Sequence, residues 1–190
     1  MAPSALYHHV GGRDLLSRHV VGRVLSTVGF PTETMPWRDW FRAALYPARP
    51  VLAEYPGAAR WLLLHGPVFP SMVPVVDSGI ASLQAAGFAE GSAYAYTALF
   101  NTAMMTISLT DDRFQHADDG ARDHATMMHD LLDVAGTSPG VALISRDVIT
   151  QFAGDPDDAA SARDGYYRYL LETLMDGLEH NLHSRDDVEG

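Results

Sequence analysis

Apolar residues recur along this chain every three or four positions, and the rhythm is broken mainly by glycine and proline. That pattern predicts a succession of amphipathic helices. Leu6 and Val10 can share the face of a short helix, which Gly11-Gly12 stops. Leu16, Val20, Val24 and Val28 then make a four-residue stripe over Arg13 to about Val28, ended by Gly29-Phe30-Pro31-Thr32. Pro36 suits a first helical position, and the next apolar face runs through Trp37, Trp40, Phe41, Ala44, Leu45, Ala48, Leu52 and Tyr55. Pro47 and Pro50 fall inside it. Each lacks an N–H and crowds the carbonyl four residues back, so a kink or break is expected between Tyr46 and Val51. Pro56-Gly57 marks a turn before a short helix over Ala58–His65. Gly66-Pro67 breaks the chain again.

Further helices are expected over Ser71–Ala86, with Met72, Val76, Ile80 and Leu83 inward and Gly87 as the stop, and over Ala89 to about Asp111, marked by Tyr96, Phe100, Ala103 and Ile107. Asp118–Ala135 and Val141–Phe152 read as two more. The last helix spans Ala159 to about His183, with Tyr166, Leu170, Leu174, Leu178 and Leu182 at period four. The tail after Ser184 is charged and expected to fray. Period-two alternation is absent and the valine-rich runs carry prolines, so the fold class is all-α.

Composition narrows the setting. A chain of 190 residues with 47% hydrophobic content suits one globular domain with a substantial core. No apolar run spans a bilayer and no secretion signal opens the chain. The absence of cysteine excludes disulfides and thiolate metal sites, and fits a cytoplasmic protein. Charge is uneven. Residues 1–64 hold seven arginines against four acids, whereas the remainder holds six against twenty, for a net charge of −11. A mildly basic start on an acidic body suits a nucleic-acid-facing end joined to a domain kept off nucleic acid. All thirteen basic residues are arginine.

The opening stretch adds chemistry to that asymmetry. In Leu6-Tyr7-His8-His9-Val10-Gly11-Gly12-Arg13-Asp14-Leu15-Leu16 a helix ends, the backbone turns and a second helix begins with an acid in its first turn. The string resembles the end of the helix-turn-helix in the tetracycline-repressor (TetR) family of transcription regulators, whose recognition helix ends in a Leu-Tyr-x-His-hydrophobic run followed by a small residue, a base, an acid and a Leu pair. Gln84-Ala85-Ala86-Gly87-Phe88 and Leu174-Met175-Asp176-Gly177-Leu178-Glu179 are similar to two further strings of that family. The resemblance assigns residues 1–11 to the remnant of a recognition helix, with Ser4, Tyr7, His8, His9 and Arg13 as its DNA-facing groups. It assigns 12–184 to a ligand-binding and dimerisation domain and 185–190 to a frayed tail. In the family two helices precede the recognition helix, so the chain beginning at Met1 is not expected to bind operator DNA unless those helices accompany it.

The same resemblance implies a homodimer built on a four-helix bundle, here through Ala103, Tyr166, Leu170, Leu174, Gly177 and Leu178. It also implies an effector pocket between the helix after the DNA-reading head and the dimer core. Trp40, Tyr46, Trp61, His65, Phe69, Met72, Asn101, Met105, His124 and Met128 are the candidate lining. Aromatic and methionine side chains with a few polar groups fit a small apolar or aromatic effector. Asn101 stands out because a buried amide must find partners, and Trp61 and His65 lie one turn apart. The implied function is ligand-responsive regulation of transcription, by repression relieved when the effector shifts the helix over Arg13–Val28. No enzymatic activity, cofactor, metal or membrane partner is expected. His180 and His183 lie three apart on a helix and His124 and His129 five apart, but no HExxH string or phosphate-binding glycine loop is present, and surface histidines explain the pairs better. Two rivals remain: a small all-α enzyme using histidine and carboxylate chemistry, and a remnant that sequesters a ligand or pairs with a relative.

Overall fold

The computed structural model describes residues 13–67, 69–115, 130, 138–152 and 156–189. Every regular element among them is helical and none is a strand, which makes the fold all-α. The chain divides into two units, one of Met1–Ser108 with Leu174–Gly190 and the other of Leu109–Thr173.

The first unit begins with α1 (Arg13–Leu25), α2 (Trp37–Ala53) and α3 (Ala58–His65). A 3-10 turn at Pro70–Met72 leads into α4 (Val73–Ala85), and another at Ala89–Gly91 leads into α5 (Ser92–Gln115). The last part of α7 (Pro156–Glu189) completes it. Helix α2 packs on α4, and α1 packs on α2 and α3.

Helix α2 is the spine. Trp37, Trp40, Phe41, Ala44, Leu45, Ala48 and Leu52 are all buried, at the spacing that puts side chains on one helical face. The expected break between Tyr46 and Val51 does not occur: the helix continues through both prolines. Pro47, Pro50 and Ala43 are exposed and Tyr46 is half-buried, so both rings lie on the outer side. The two missing N–H groups therefore fall on the outer side of the helix, and the buried face stays continuous.

The inner face of α4 consists of Val75, Ser78, Gly79, Ser82 and Leu83, not the expected line through Val76 and Ile80, which are half-buried. Small residues explain the rotation. A Cβ at Gly79 would lie 2.7 Å from the Trp40 ring, so glycine lets that ring lie flat against the helix. Trp40 Nε1 donates to Ser78 Oγ at 3.0 Å, and Ser82 Oγ accepts from the Met35 amide at 3.2 Å while donating to the Ser78 carbonyl at 2.8 Å. The two serines thus stitch α4 to α2 and to the loop before it. Gly87 stops the chain at φ 96° and Gly57 opens α3 at φ 90°, both in the left-handed region where a side chain is strained.

In α1 the buried residues are Val21, Val24 and Leu25, followed by Val28, whereas Val20 of the expected stripe is 45% exposed. The helix ends at Leu25, three residues early. Gly22 accounts for part of the rotation, because its missing side chain admits the edge of Phe69, 3.0 Å from where a Cβ would stand.

The second unit contains α6 (Pro139–Ile144), a π-helical turn at Ser145–Ile149 and one more helical turn at Thr150–Phe152. It also contains the first part of α7, whose Tyr166 meets Phe152 edge-on at 6.0 Å. Thr150 Oγ1 donates to the Ser145 carbonyl at 2.8 Å. In α7 the fully buried residues are Tyr167, Leu171 and Met175. They stand one position on from the expected stripe, of which Leu170, Leu174, Leu178 and Leu182 are half-buried and Tyr166 is exposed. The helix runs to Glu189, past the expected fraying point at Ser184. The helix expected over Asp118–Ala135, Asp130 apart, and the opening helix end over residues 1–11 lie outside the described residues. Among the described residues no helix is long and apolar enough to cross a membrane.

Candidate functional site

Where α1 to α5 converge in the first unit, their inner faces enclose a cavity of about 30 Å³. Its walls are Leu25 from α1; Trp40, Phe41, Ala44, Leu45, Ala48 and Leu52 from α2; Leu62 from α3; Val75 from α4; and Tyr96, Phe100 and Met104 from α5. Phe30, Pro67 and Met72 close the ends. Among the described residues no charged side chain lines it. The volume is roughly a tenth of that of the smallest pockets that enclose drug-sized ligands.

Of the expected lining, Trp40 and Met72 are in this cavity. Trp61, His65 and Phe69 form a separate outer stack. Trp61 lies parallel to His65 with ring centroids 4.4 Å apart and meets Phe69 at 5.6 Å. They miss the cavity because Leu62 is the α3 residue turned inward, so Trp61 and His65 sit to one side. His65 is exposed, and its Nδ1–H donates to the Trp61 carbonyl at 2.9 Å rather than to an acid. Tyr46 is half-buried on the flank of α2, outside the cavity. Met105 is 54% exposed, while its neighbour Met104 is buried in the wall, a displacement of one position on the helix. His124 and Met128 lie outside the described residues, as do Ser4, Tyr7, His8 and His9; the side chain of Arg13 is likewise not described.

Asn101 is half-buried and does not reach the cavity. It lies instead on a stripe of α5 with Tyr94, Ala98 and Met105, spaced four, three and four residues apart and therefore on one face. Tyr94 is 83% exposed. Beside it on α7, Leu174, Gly177 and Asn181 make a second uncharged stripe, and an open groove brings Tyr94 and Ala98 next to Leu178, Asn181 and Leu182. Ala103, expected at the dimer interface, is fully buried within the chain and does not belong to this surface. Its position points to the opposite side of α5 from Tyr94 and Met105. Among the described residues a Cβ at Gly177 would meet nothing within 4 Å, so no contact among them requires glycine there.

One ion-pair cluster ties the two helical systems together. Arg38 on α2 reaches Asp176 at 2.6 Å and Glu179 at 2.8 Å on α7, and its guanidinium lies 5.7 Å from the centroid of the Trp37 ring. The clamp joins the spine of the cavity to the helix carrying the second stripe. It also engages two acids of that helix, whereas Glu90 lines the groove itself.

Among the described residues no group of three or more His, Asp or Glu side chains is arranged to hold a metal ion. Sequence reasoning missed Tyr96, Phe100 and Met104 as lining, although the first two were legible as one face of their helix. What the sequence did not carry was the rotation of that face relative to α2. No protein-family model matches the chain, and no curated protein or solved structure matches it.

Proposed function

We propose that this chain is the receptor and dimerisation part of a ligand-responsive transcription regulator resembling the TetR family, working as a homodimer in the cytoplasm. The observation that carries the reading is Leu25. It sits at the end of α1, the helix that follows the DNA-reader-like string, and forms part of the cavity wall. A molecule that enlarges the cavity presses on α1 directly. Its differential affinity for two positions of α1 then becomes a shift of whatever precedes that helix. The dimer rests on the uncharged stripes of α5 and α7, and the effector on the apolar walls. The reading includes no catalytic role; the Nδ1–H of His65 is given to the Trp61 carbonyl.

The test is capture of fragmented genomic DNA by the product of the complete reading frame. Enrichment of a short inverted repeat, released when an effector is added, is the expected result. Failure to enrich any sequence overturns the regulator reading and leaves a dimeric receptor that sequesters its ligand.

A further inference from the structure

In the second unit, the first turns of α7 and the helical turns over Ser145–Phe152 border an open groove of about 790 Å³, within the size range of small-molecule sites. Spacing lays out its α7 side. Asp158, Ala162, Tyr166 and Tyr169 follow one another at four, four and three residues and so share one helical face. Gly165 lies beside them, and a Cβ there would meet nothing within 4 Å among the described residues, which leaves space between the acid and the rings. From the other element comes Phe152, whose ring stands at 89° to that of Tyr166 with centroids 6.0 Å apart. Tyr169, 65% exposed, adds a third ring about one turn further on. Asp147 also lines the groove, but both its carboxylate oxygens accept from Arg146, at 2.5 and 3.0 Å. Asp158 stands exposed in the first turn of α7.

We propose that this groove binds a small organic cation, an alkylated ammonium whose methyl groups rest on the rings of Phe152, Tyr166 and Tyr169 while its charge faces Asp158. The face of an aromatic ring is electrostatically negative, and two rings at right angles offer a corner in which one cation meets both. A methylated ammonium suits such a corner better than a bare one. Its charge is spread over carbon, so it sheds water at lower cost and also brings apolar surface to the rings. Acids alone would be ordinary solvated surface. Here they stand beside two tyrosines left 47% and 65% exposed, whose apolar area a ligand would remove from water. The wider field favours the same sign of ligand: residues 109–173 hold thirteen acids against five arginines, most of the chain's net charge of −11. The groove shares no residue with the α1–α5 cavity, and the inference stands independently of the regulator reading.

The experiment titrates the full chain by calorimetry with choline and with 3,3-dimethylbutan-1-ol, its uncharged isostere, while NMR follows the ring resonances of Phe152, Tyr166 and Tyr169. Choline is expected to bind, to shift those rings and to weaken as sodium chloride is raised. The alcohol should bind about tenfold more weakly. Tyr169→Leu should weaken choline by about two- to fivefold, and Tyr169→Phe should keep the parent affinity, because the ring and not the hydroxyl makes the contact. Asp158→Asn should weaken choline by a similar factor, about two- to fivefold, and leave the alcohol unchanged. Both positions are exposed, so the helical circular dichroism of each variant should match the parent. The proposal is overturned if the alcohol binds as tightly as choline, if Tyr169→Leu or Asp158→Asn leaves choline binding unchanged, or if choline fails to bind or shifts none of the three rings. None of these readouts involves DNA, so enrichment of an operator, or its failure, bears on the regulator reading alone.

Discussion

Tyr96 and Gly79 show how single atoms shape the interior. The Tyr96 phenol has its pKa raised from 10.0 to about 12 by burial alone. Below pH 10 it is protonated whether the chain is folded or not. Between pH 10 and 12 the unfolded chain gives up the proton first, so folding loses stability as pH rises through that window. The loss is on the order of 2 kcal/mol by pH 12, reduced by whatever water reaches the hydroxyl. Tyr96→Phe should therefore show a flatter decline in denaturant midpoint above pH 10 than the parent, measured by urea titration across that range; parallel declines would mean the hydroxyl is hydrated. Gly79 makes the opposite point, that an absent atom can be a requirement. Ala at 79 gains up to about 1 kcal/mol of helix propensity. It also places a methyl 2.7 Å from a Trp40 ring that is 1% exposed and pinned through Ser78. Overpacking of about 1–3 kcal/mol outweighs the gain. Gly79→Ala should lower the thermal midpoint by a few degrees, and a rise would mean that Trp40 is free to move.

At the scale of elements, periodicity located helices and misjudged which way they face. The bounds of α3 came directly from Pro56-Gly57 and Gly66-Pro67, because local backbone chemistry decides them. The inner faces of α1, α4 and α7 each stood about one residue from the expected line. Apolar side chains surround much of those helices, and the small residues that decide close approach, Gly22, Gly79, Ser78 and Ser82, register as neutral in an apolar count. The proline pair misled for a related reason: the sequence shows that two donors are missing, and only the fold shows that they face water. The cavity was half legible, since Trp40 and Met72 lie on strongly patterned faces while Met104 was lost to Met105 by one step of rotation. Gly177 allows an element-level test. With nothing among the described residues within 4 Å of its Cβ position, Gly177→Ala should raise the stability of an isolated subunit by about 0.5–1 kcal/mol. If α7 packs closely on its twofold copy, the same methyl separates the helices and weakens the dimer. Helix stability and association moving in opposite directions, read by thermal denaturation and sedimentation on one variant, is the expected outcome. A gain in stability with association unchanged would place Gly177 on an open surface.

For the molecule as a whole, the homodimer proposed above would have to form between two chains that each carry a net charge of −11. Two such chains repel at long range, and dissolved ions screen that repulsion beyond about 10 Å at 0.1 M salt. Association then needs a contact free of charge, and the stripes through Tyr94, Ala98, Asn101 and Met105 on α5 and Leu174, Gly177 and Asn181 on α7 provide one. The nearest acids on α7, Asp176 and Glu179, are engaged by Arg38 of the same subunit. Attraction across such a surface comes from apolar burial, which salt does not weaken, whereas the repulsion fades as salt is added. The proposed homodimer should therefore tighten with ionic strength, the reverse of an assembly held by ion pairs. Analytical ultracentrifugation at low micromolar concentration should show mass moving from the 20.7 kDa subunit toward its double as sodium chloride is raised. Met105→Asp combined with Leu174→Asp should hold the protein at subunit mass at every salt concentration, with its helical circular dichroism unchanged, because both side chains sit outside the buried core. Dimer that dissociates as salt rises, or that survives the double substitution, would move the interface to a charged face and leave the two stripes without a partner.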